Sequence, residues 1–336
     1  MTHSNSPILI IGAGQVGTFT AGQLLAEGHK VALMDMRPLA GELVKGHFNI
    51  TDVEYVRGDI RSILDICQAI KQTRPNKILN TAALLPGAEA YAMFDVNVMG
   101  LVNVLEAARL LDVERVVHTS SSVGYYQPFA TDKYEGSAIN EEARIASLPG
   151  FFYGTSKLAA DAIALDYAAF FDMDVMTCRL GHVWGPWGGS LGAPISMFLT
   201  SVVKAALQGE QITIDNPMFV WEGKEGFCNI RNVVQALVQA LTVDKTEHRN
   251  FNVFDAQPYS FSEFLEALKV AIPGLSVDQI VQATGGYAGM PSPPPLPFDI
   301  TRSRRELGYN PDVGLSEGID EFVSWMKSTS AAEIKR

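Results

Sequence analysis

Tyr153 and Lys157 stand four residues apart, a spacing that sets a phenol and an ammonium on one face of a helix. A free tyrosine titrates near ~10 and is a poor base at neutral pH, whereas a neighbouring lysine charge favours the phenolate and draws that value down. Together they make a general acid/base suited to exchanging a proton with a substrate hydroxyl. The chain has ten tyrosines, and an exposed helix pair without chemistry would have the same spacing. A tyrosine in this role needs a second donor to hold the substrate oxygen. Thr119-Ser120-Ser121-Ser122, about thirty residues upstream, supplies hydroxyls, any one of which also suits a turn cap.

A second group of residues carries binding chemistry. Gly12-Ala13-Gly14-Gln15-Val16-Gly17 spells Gly-x-Gly-x-x-Gly directly after an apolar run and at the start of a predicted helix. Gly12 permits a tight turn, Gly14 lets a pyrophosphate approach the backbone, and Gly17 lets helix and strand pack closely. The helix N-terminus adds N–H groups and partial positive charge. Asp35 closes the second predicted strand, where a carboxylate accepts hydrogen bonds from an adenosine ribose and repels a 2′-phosphate. NAD rather than NADP is therefore the expected cofactor, although Arg37, two residues later, is a side chain that can reach a phosphate.

The elements that must hold these residues alternate regularly. Ile8 to Ile11 reads as a buried strand, followed by a helix from Thr18 to Glu27 with Gly28 as its stop. Further strands are expected at Val31 to Asp35, Glu54 to Val56, Lys77 to Asn80 and Arg115 to His118, with helices at Ile63 to Lys71 and Val96 to Leu111 between them. Tyr153 opens a long helix to about Phe171, and a strand follows from Asp174 to Cys178. This order predicts an α/β fold, a doubly wound parallel sheet with the hydroxyl run at a strand's C-terminal end, where such sheets bind ligands. Beyond it the alternation weakens: residues 181–194 read as a loop, with helices near 196–207, 230–241, 260–270 and 315–326. Residues 1–180 are expected to form the cofactor domain, with further elements of it near 227–255. Residues 181–226 and 256–330 are expected to form a smaller substrate-binding region. The proline-dense segment Met290 to Pro297 reads as an ordered connection or as a polyproline ligand for another protein.

Composition narrows the partners. The 336 residues are 47% hydrophobic and 19% charged, as in a globular protein with a large core. A net charge of −11 disfavours nucleic acid and anionic membranes. Cys67, Cys178 and Cys228 lack any paired spacing, which argues against a disulfide framework or a zinc site and fits a reducing compartment. The polar N-terminus and the lack of a spanning apolar run make a cytoplasmic, soluble protein the expectation, with no metal required.

Taken in order, these residues resemble the extended short-chain dehydrogenase/reductases of the NAD-dependent epimerase/dehydratase group, over nearly the whole chain. Besides the glycine turn and Tyr153/Lys157, the resemblance rests on Gly58-Asp59-Ile60, Asn80-Thr81-Ala82-Ala83-Leu84, and Asn97-Val98-Met99-Gly100 with Asn103 to Ala108. Ser120-Ser121 with Tyr125, Arg179-Leu180 with Trp184-Gly185-Pro186, and Glu306 to Tyr309 with Pro311 complete it. It implies a Rossmann fold, NAD, and a homodimer formed through the helices at 96–111 and 153–171. It further implies that Tyr153 is the acid/base, that Lys157 lowers its pKa and holds the nicotinamide ribose, and that Ser121, four before Tyr125, bonds the reacting oxygen. By the same resemblance Asp59 and Ile60 border adenine. Ala82, Ala83 and Leu84 line the pyrophosphate and nicotinamide side, and Asn97 supports the sheet.

The substrate is less legible. His182 stands where nucleotide-sugar enzymes of the group carry asparagine, Lys224-Glu225-Gly226-Phe227 where they carry Arg-Asp and an aromatic, and Arg231-Asn232 where they carry two aspartates. Glu225 would repel a diphosphate. Gly14 to Thr18 and Ala82 to Leu85 also resemble the threonine-dehydrogenase branch, whose substrates are small. Leu85, Ser122, Val123, His182, Trp184 and Trp187 are the candidates for the pocket wall. The first expectation is a dehydrogenase oxidising a secondary alcohol in a small substrate. The alternative is a nucleotide-sugar epimerase or dehydratase, and a catalytically silent NAD sensor is a third reading.

Overall fold

Short apolar runs build the centre of the molecule. β1 (Ile8–Ile11), β2 (Val31–Asp35), β3 (Glu54–Arg57), β4 (Lys77–Asn80), β5 (Arg115–Ser121), β6 (Asp174–Leu180) and β10 (Asn250–Val253) form one parallel sheet in the order β10-β6-β5-β4-β1-β2-β3. The computed structural model describes residues 6–39, 52–126, 137–187, 194–291 and 296–333. Side chains alternate between the two faces of the sheet, as the strand period of two requires. Ile8 and Ile10 join one core, under α1 (Gln15–Ala26) and α7 (Ile230–Thr242). Leu9 and Ile11 join the other, under α2 (Ile63–Thr73), α4 (Gly100–Leu110) and α5 (Phe152–Phe171). The chain winds outward from β1 one way and from β4 the other, so a crevice opens at the C-terminal ends of these two strands.

The helix boundaries have local causes. α1 stops where Gly28 takes φ +85° and its N–H and that of His29 bond back to Leu25 and Leu24. α2 starts where the Ser62 hydroxyl accepts the Asp65 amide and ends on left-handed Arg74. α3 (Ala90–Phe94) runs through a π-helical segment, Asp95–Met99, into α4, so this helix begins six residues before the expected Val96.

The smaller region has its own core. It gathers α6 (Pro194–Leu207), β8 (Ile212–Ile214) paired with β11 (Val277–Gln279), α8 (Phe261–Ala271) and α10 (Leu315–Glu333) around Trp221, Phe227, Phe264 and Phe322. A capping box at Ser260 and Glu263 starts α8. α9 (Thr301–Leu307) returns to the sheet, with Leu307 in the same core as β10. The expected loop at 181–194 needs correction: His182–Trp184 is a strand, β7, paired in parallel with β9 (Phe227–Asn229). β5 and β6 also continue past their expected ends, to Ser121 and Leu180, because they pair with each other residue for residue over that stretch. Residues 292–295 of the proline-dense segment lie outside the described residues. Among the described residues no helix is long and apolar enough to cross a membrane.

Candidate active site

The glycine turn sits where β1 meets α1. Gly12 has φ +104°, and a Cβ on it would lie 2.6 Å from the Ala82 nitrogen. A Cβ on Gly17 would lie 2.0 Å from the Gly12 carbonyl oxygen. Both positions require glycine for reasons internal to the chain. Gly14 does not: a Cβ there would meet nothing within 4 Å. It is the N-cap of α1, and no side chain caps that helix, so its first amides face open space as a phosphate cradle would. Val16 lies in that first turn, part-buried against the core on the α1 face. Thr81 closes the turn from β4, donating to the Gly12 carbonyl at 2.8 Å.

Asp35 adjoins the turn at the end of β2. One carboxylate oxygen accepts the Ala13 amide and the other the Arg37 amide, both at 2.9 Å. Arg37 itself is exposed, its guanidinium 3.6 Å from Asp35. Asp59 is gripped by Arg61, whose hydrogen bonds hold its carboxyl below the usual range, and Ile60 is buried between them and α4. Ala82, Ala83 and Leu84 follow β4 as a part-buried loop, and Leu85 is 41% exposed. Asn97, in the π-helical segment, fixes this loop: it accepts the Leu84 amide at 2.7 Å, donates to the Leu84 carbonyl, and donates to Ser156 on α5. Gln15 reaches across to the Gly185 and Pro186 carbonyls, tying the turn to the chain after β7.

At the end of β5, the structure brings Ser121 and Tyr153 together. The Ser121 side chain lies close enough to the Tyr153 phenol to act on its titration, and its hydroxyl receives the Val123 amide at 3.3 Å. Burial pushes the phenol up to about 12, and the neighbouring Ser121 hydroxyl opposes that rise. The expected lowering by Lys157 is absent. Lys157 is 3% exposed and donates to the Thr119 carbonyl at 2.5 Å, so its ammonium is aimed at the strand rather than at the phenol. Burial lowers Lys157 to about 8, opposed by Asp161 one helical turn on. One of its three donors is occupied, leaving two for a ligand hydroxyl. Spacing missed Asp161, which continues the same helix face and pairs with buried Arg179 at 2.7 Å.

The pocket-wall candidates divide. Val123 packs with Tyr126 and Met290 in a small cluster that includes Tyr153, and Ser122 is buried beside it. His182 is partly exposed, with its ring 4.6 Å from that of Tyr287. Trp184 is fully buried, packed on Phe264 with its indole N–H on Asp255, and so belongs to the small region's core instead of a pocket wall. Trp187 is part-buried, and its indole N–H has no partner among the described residues. Lys224 pairs with Glu263 and Arg231 with Glu317, while Asn232 is buried on Asp255 and the Val313 carbonyl. Motif reading also missed Tyr126, whose hydroxyl donates to Glu225 at 2.6 Å and lies 2.9 Å from His182 Nε2.

Comparison with known proteins agrees with this fold. The UDP-glucose 4-epimerase of Mycolicibacterium smegmatis is 28% identical over 324 residues, covering 95% of this chain and 97% of that protein. The fold matches UDP-glucose 4-epimerase with UDP-glucose from Thermotoga maritima at a TM-score of 0.77 and 18% identity, over 96% of this chain and 99% of that one. It also matches UDP-glucuronic acid 4-epimerase from Bacillus cereus in complex with UDP-glucuronic acid and NAD, at 0.75 and 21% identity, over 96% and 99%. The sequence profile of the NAD dependent epimerase/dehydratase family covers residues 8–253. With that match over the whole parallel sheet, the chain belongs to the NAD-dependent epimerase/dehydratase family, the extended short-chain dehydrogenase/reductase enzymes.

Proposed function

We propose that this enzyme removes hydride from a secondary carbinol carbon of a nucleotide sugar and returns it, in an epimerase- or dehydratase-type cycle. The observation that carries the reading is the convergence of Ser121 and the Tyr153 phenol at the end of β5, beside buried Lys157 and two strands along the sheet from the open Gly14 cradle. Bound NAD supplies the hydride acceptor and donor. The chain's own residues manage protons and position. Gly12, Gly14, Gln15, Val16 and Gly17 hold the pyrophosphate, and the two carboxylate oxygens of Asp35 retain lone pairs for the adenosine ribose. Ser121 holds the substrate oxygen, and Tyr153 takes its proton as the carbon–hydrogen bond breaks.

A phenol at about 12 is a weak base at neutral pH, so the site needs positive charge to make it act. The oxidised cofactor would bring that charge, and Lys157 would help to hold it there, reaching a ribose hydroxyl with the donors that Thr119 leaves free. Full-length similarity to UDP-sugar epimerases supports the nucleotide sugar over the small alcohol expected first. That small-substrate reading keeps one observation in its favour: Glu225, buried, where the group's diphosphate-binding segment lies.

The test is Tyr153→Phe, which should lower turnover by about 10²–10⁴-fold while leaving NAD binding within about twofold, since the phenol acts on the proton and not on the pyrophosphate. Turnover near wild type removes the assignment. Net NADH release with a nucleotide sugar marks a dehydrogenase, and product formed without it marks the epimerase or dehydratase cycle.

A further inference from the structure

The ends of β4 and β5 are tied side chain to side chain. Asn80 and His118 are register partners on these neighbouring strands, and both are buried, at 1% exposure each. The Asn80 amide faces two groups, the Ala82 backbone nitrogen at 3.2 Å and His118 Nδ1 at 3.3 Å. A backbone N–H can only donate, so the atom turned to Ala82 is the oxygen, Oδ1. The atom turned to His118 is then Nδ2, which also can only donate, so Nδ1 accepts and carries no proton. The ring is a neutral imidazole with its proton on Nε2. Full burial, and then the nearby Lys157 charge, push its pKa well below the ordinary histidine value. Nε2 is itself buried and has no hydrogen-bond partner among the described residues. A buried N–H without a partner is costly, and an apolar ring at this position would carry no such cost. The compensating gain lies at Nδ1.

What Asn80 holds is the loop after β4. Ala82 abuts the glycine turn: a Cβ on Gly12 would lie 2.6 Å from the Ala82 nitrogen, and Thr81 donates to the Gly12 carbonyl at 2.8 Å. The Asn80 carbonyl accepts the Thr119 hydroxyl at 3.2 Å, and the Thr119 carbonyl in turn receives Lys157. We propose that His118 is a positioning residue for the NAD seat: its unprotonated Nδ1 locks the Asn80 amide so that Oδ1 holds the Ala82 N–H and sets the loop after β4 against the glycine turn. His118 touches no ligand and acts through Asn80. With that acceptor gone, the Asn80 amide is free to turn and the Ala82 N–H loses its oxygen. The arriving cofactor must then order the loop itself, at the expense of affinity. The proposal rests on the reading of Ala82, Ala83 and Leu84 as cofactor lining, and it is independent of the substrate's identity.

The experiment uses the full-length chain, with NAD as the probe and calorimetry for its Kd. Ring nitrogen shifts of ¹⁵N-labelled wild type at pH 7 should show His118 as the Nε2–H tautomer. A proton on Nδ1 overturns the proposal without requiring any variant to fold. Asn80→Ala and His118→Phe should each raise the Kd for NAD by about fivefold, the worth of one neutral hydrogen bond. In the Asn80→Ala background, His118→Phe should change that Kd by less than about twofold, because the histidine then has nothing left to hold. Losses that add in the double variant overturn the proposal, since His118 then acts on its own. A Kd within about twofold of wild type in His118→Phe, with any loss confined to denaturant unfolding, makes the histidine a core residue alone and also overturns it. If Asn80→Ala still weakens NAD in that case, the cofactor-lining reading survives and the role of His118 fails. If neither substitution moves the Kd, the cofactor-lining reading fails and the proposal falls with it.

Discussion

Lys157 is the residue whose surroundings do most to decide how the site works. It is an ammonium sunk against the sheet, with Asp161 one turn along as the carboxylate that offsets part of its burial. Its folded pKa of about 8 lies below the ordinary lysine value, so the folded chain releases this proton before the unfolded chain does. Below about pH 8 both states hold the proton and the burial cost is present in full; between about 8 and 10.5 the unfolded state binds more protons, and stability rises with pH. Lys157→Met should therefore raise the Tm of the cofactor-free enzyme at pH 7 and lose that advantage by about pH 10.5. A Tm difference that stays constant across this range would contradict it. At the cofactor's other end, Asp35→Ala should relax the preference for NAD over NADP, read as the ratio of the two Kd values, and a wild-type enzyme that already prefers NADP defeats the assignment. Spacing made the Tyr153/Lys157 pair legible, but not the direction of the tyrosine's shift. A pKa reflects everything packed around a group, and burial by Val123, Tyr126 and Met290 comes from distant parts of the chain.

At the scale of elements, the glycine turn separates two kinds of requirement. Gly17 is demanded by the fold, because a Cβ there would collide with the Gly12 backbone. Gly14 is demanded by nothing in the chain, because the space beside it is open. Gly17→Ala should therefore cost about 1–3 kcal/mol or more in denaturant unfolding. Gly14→Ala should stay within about 1 kcal/mol of wild type, a helix-cap effect, yet weaken NAD binding by about tenfold or more. Equal stability losses in the two variants would mean that Gly14 serves folding and not the ligand. β1 and β2 were readable because each holds a run of four apolar residues, all of them buried. β7 and β9 were not. Each has three residues, and each becomes a strand only by pairing with the other, more than forty positions away in sequence. That unreadable pair positions His182, partly exposed against Tyr126 and Tyr287, and Trp184, fully buried. The substrate side was accordingly harder to infer than the cofactor side.

Across the whole molecule, one face of the sheet carries apolar surface that a single copy leaves uncovered. α3, α4 and α5 pack side by side there, and α4 and α5 bury their inner residues in the core with α2. Their outer residues include Tyr91 and Phe170, exposed to 85% and 82%, together with Leu110, Phe152 and Phe171. Large exposed side chains concentrated on adjoining helices are unusual for a surface that faces only water. We propose that a second copy covers them, as the resemblance to dimeric family members led us to expect. Pairing through α5 would also stiffen the helix that carries Tyr153 and Lys157, so assembly and catalysis should be linked. Sedimentation equilibrium should give a dimer for wild type and a monomer for Tyr91→Glu combined with Phe170→Glu, since two charges on each side of such an interface cannot be buried unpaired. The monomer should keep its fold, because neither side chain is in the core, and lose part of its turnover as the start of α5 loosens. A wild-type monomer at assay concentrations, or a dimer unaffected by both substitutions, would put the interface elsewhere.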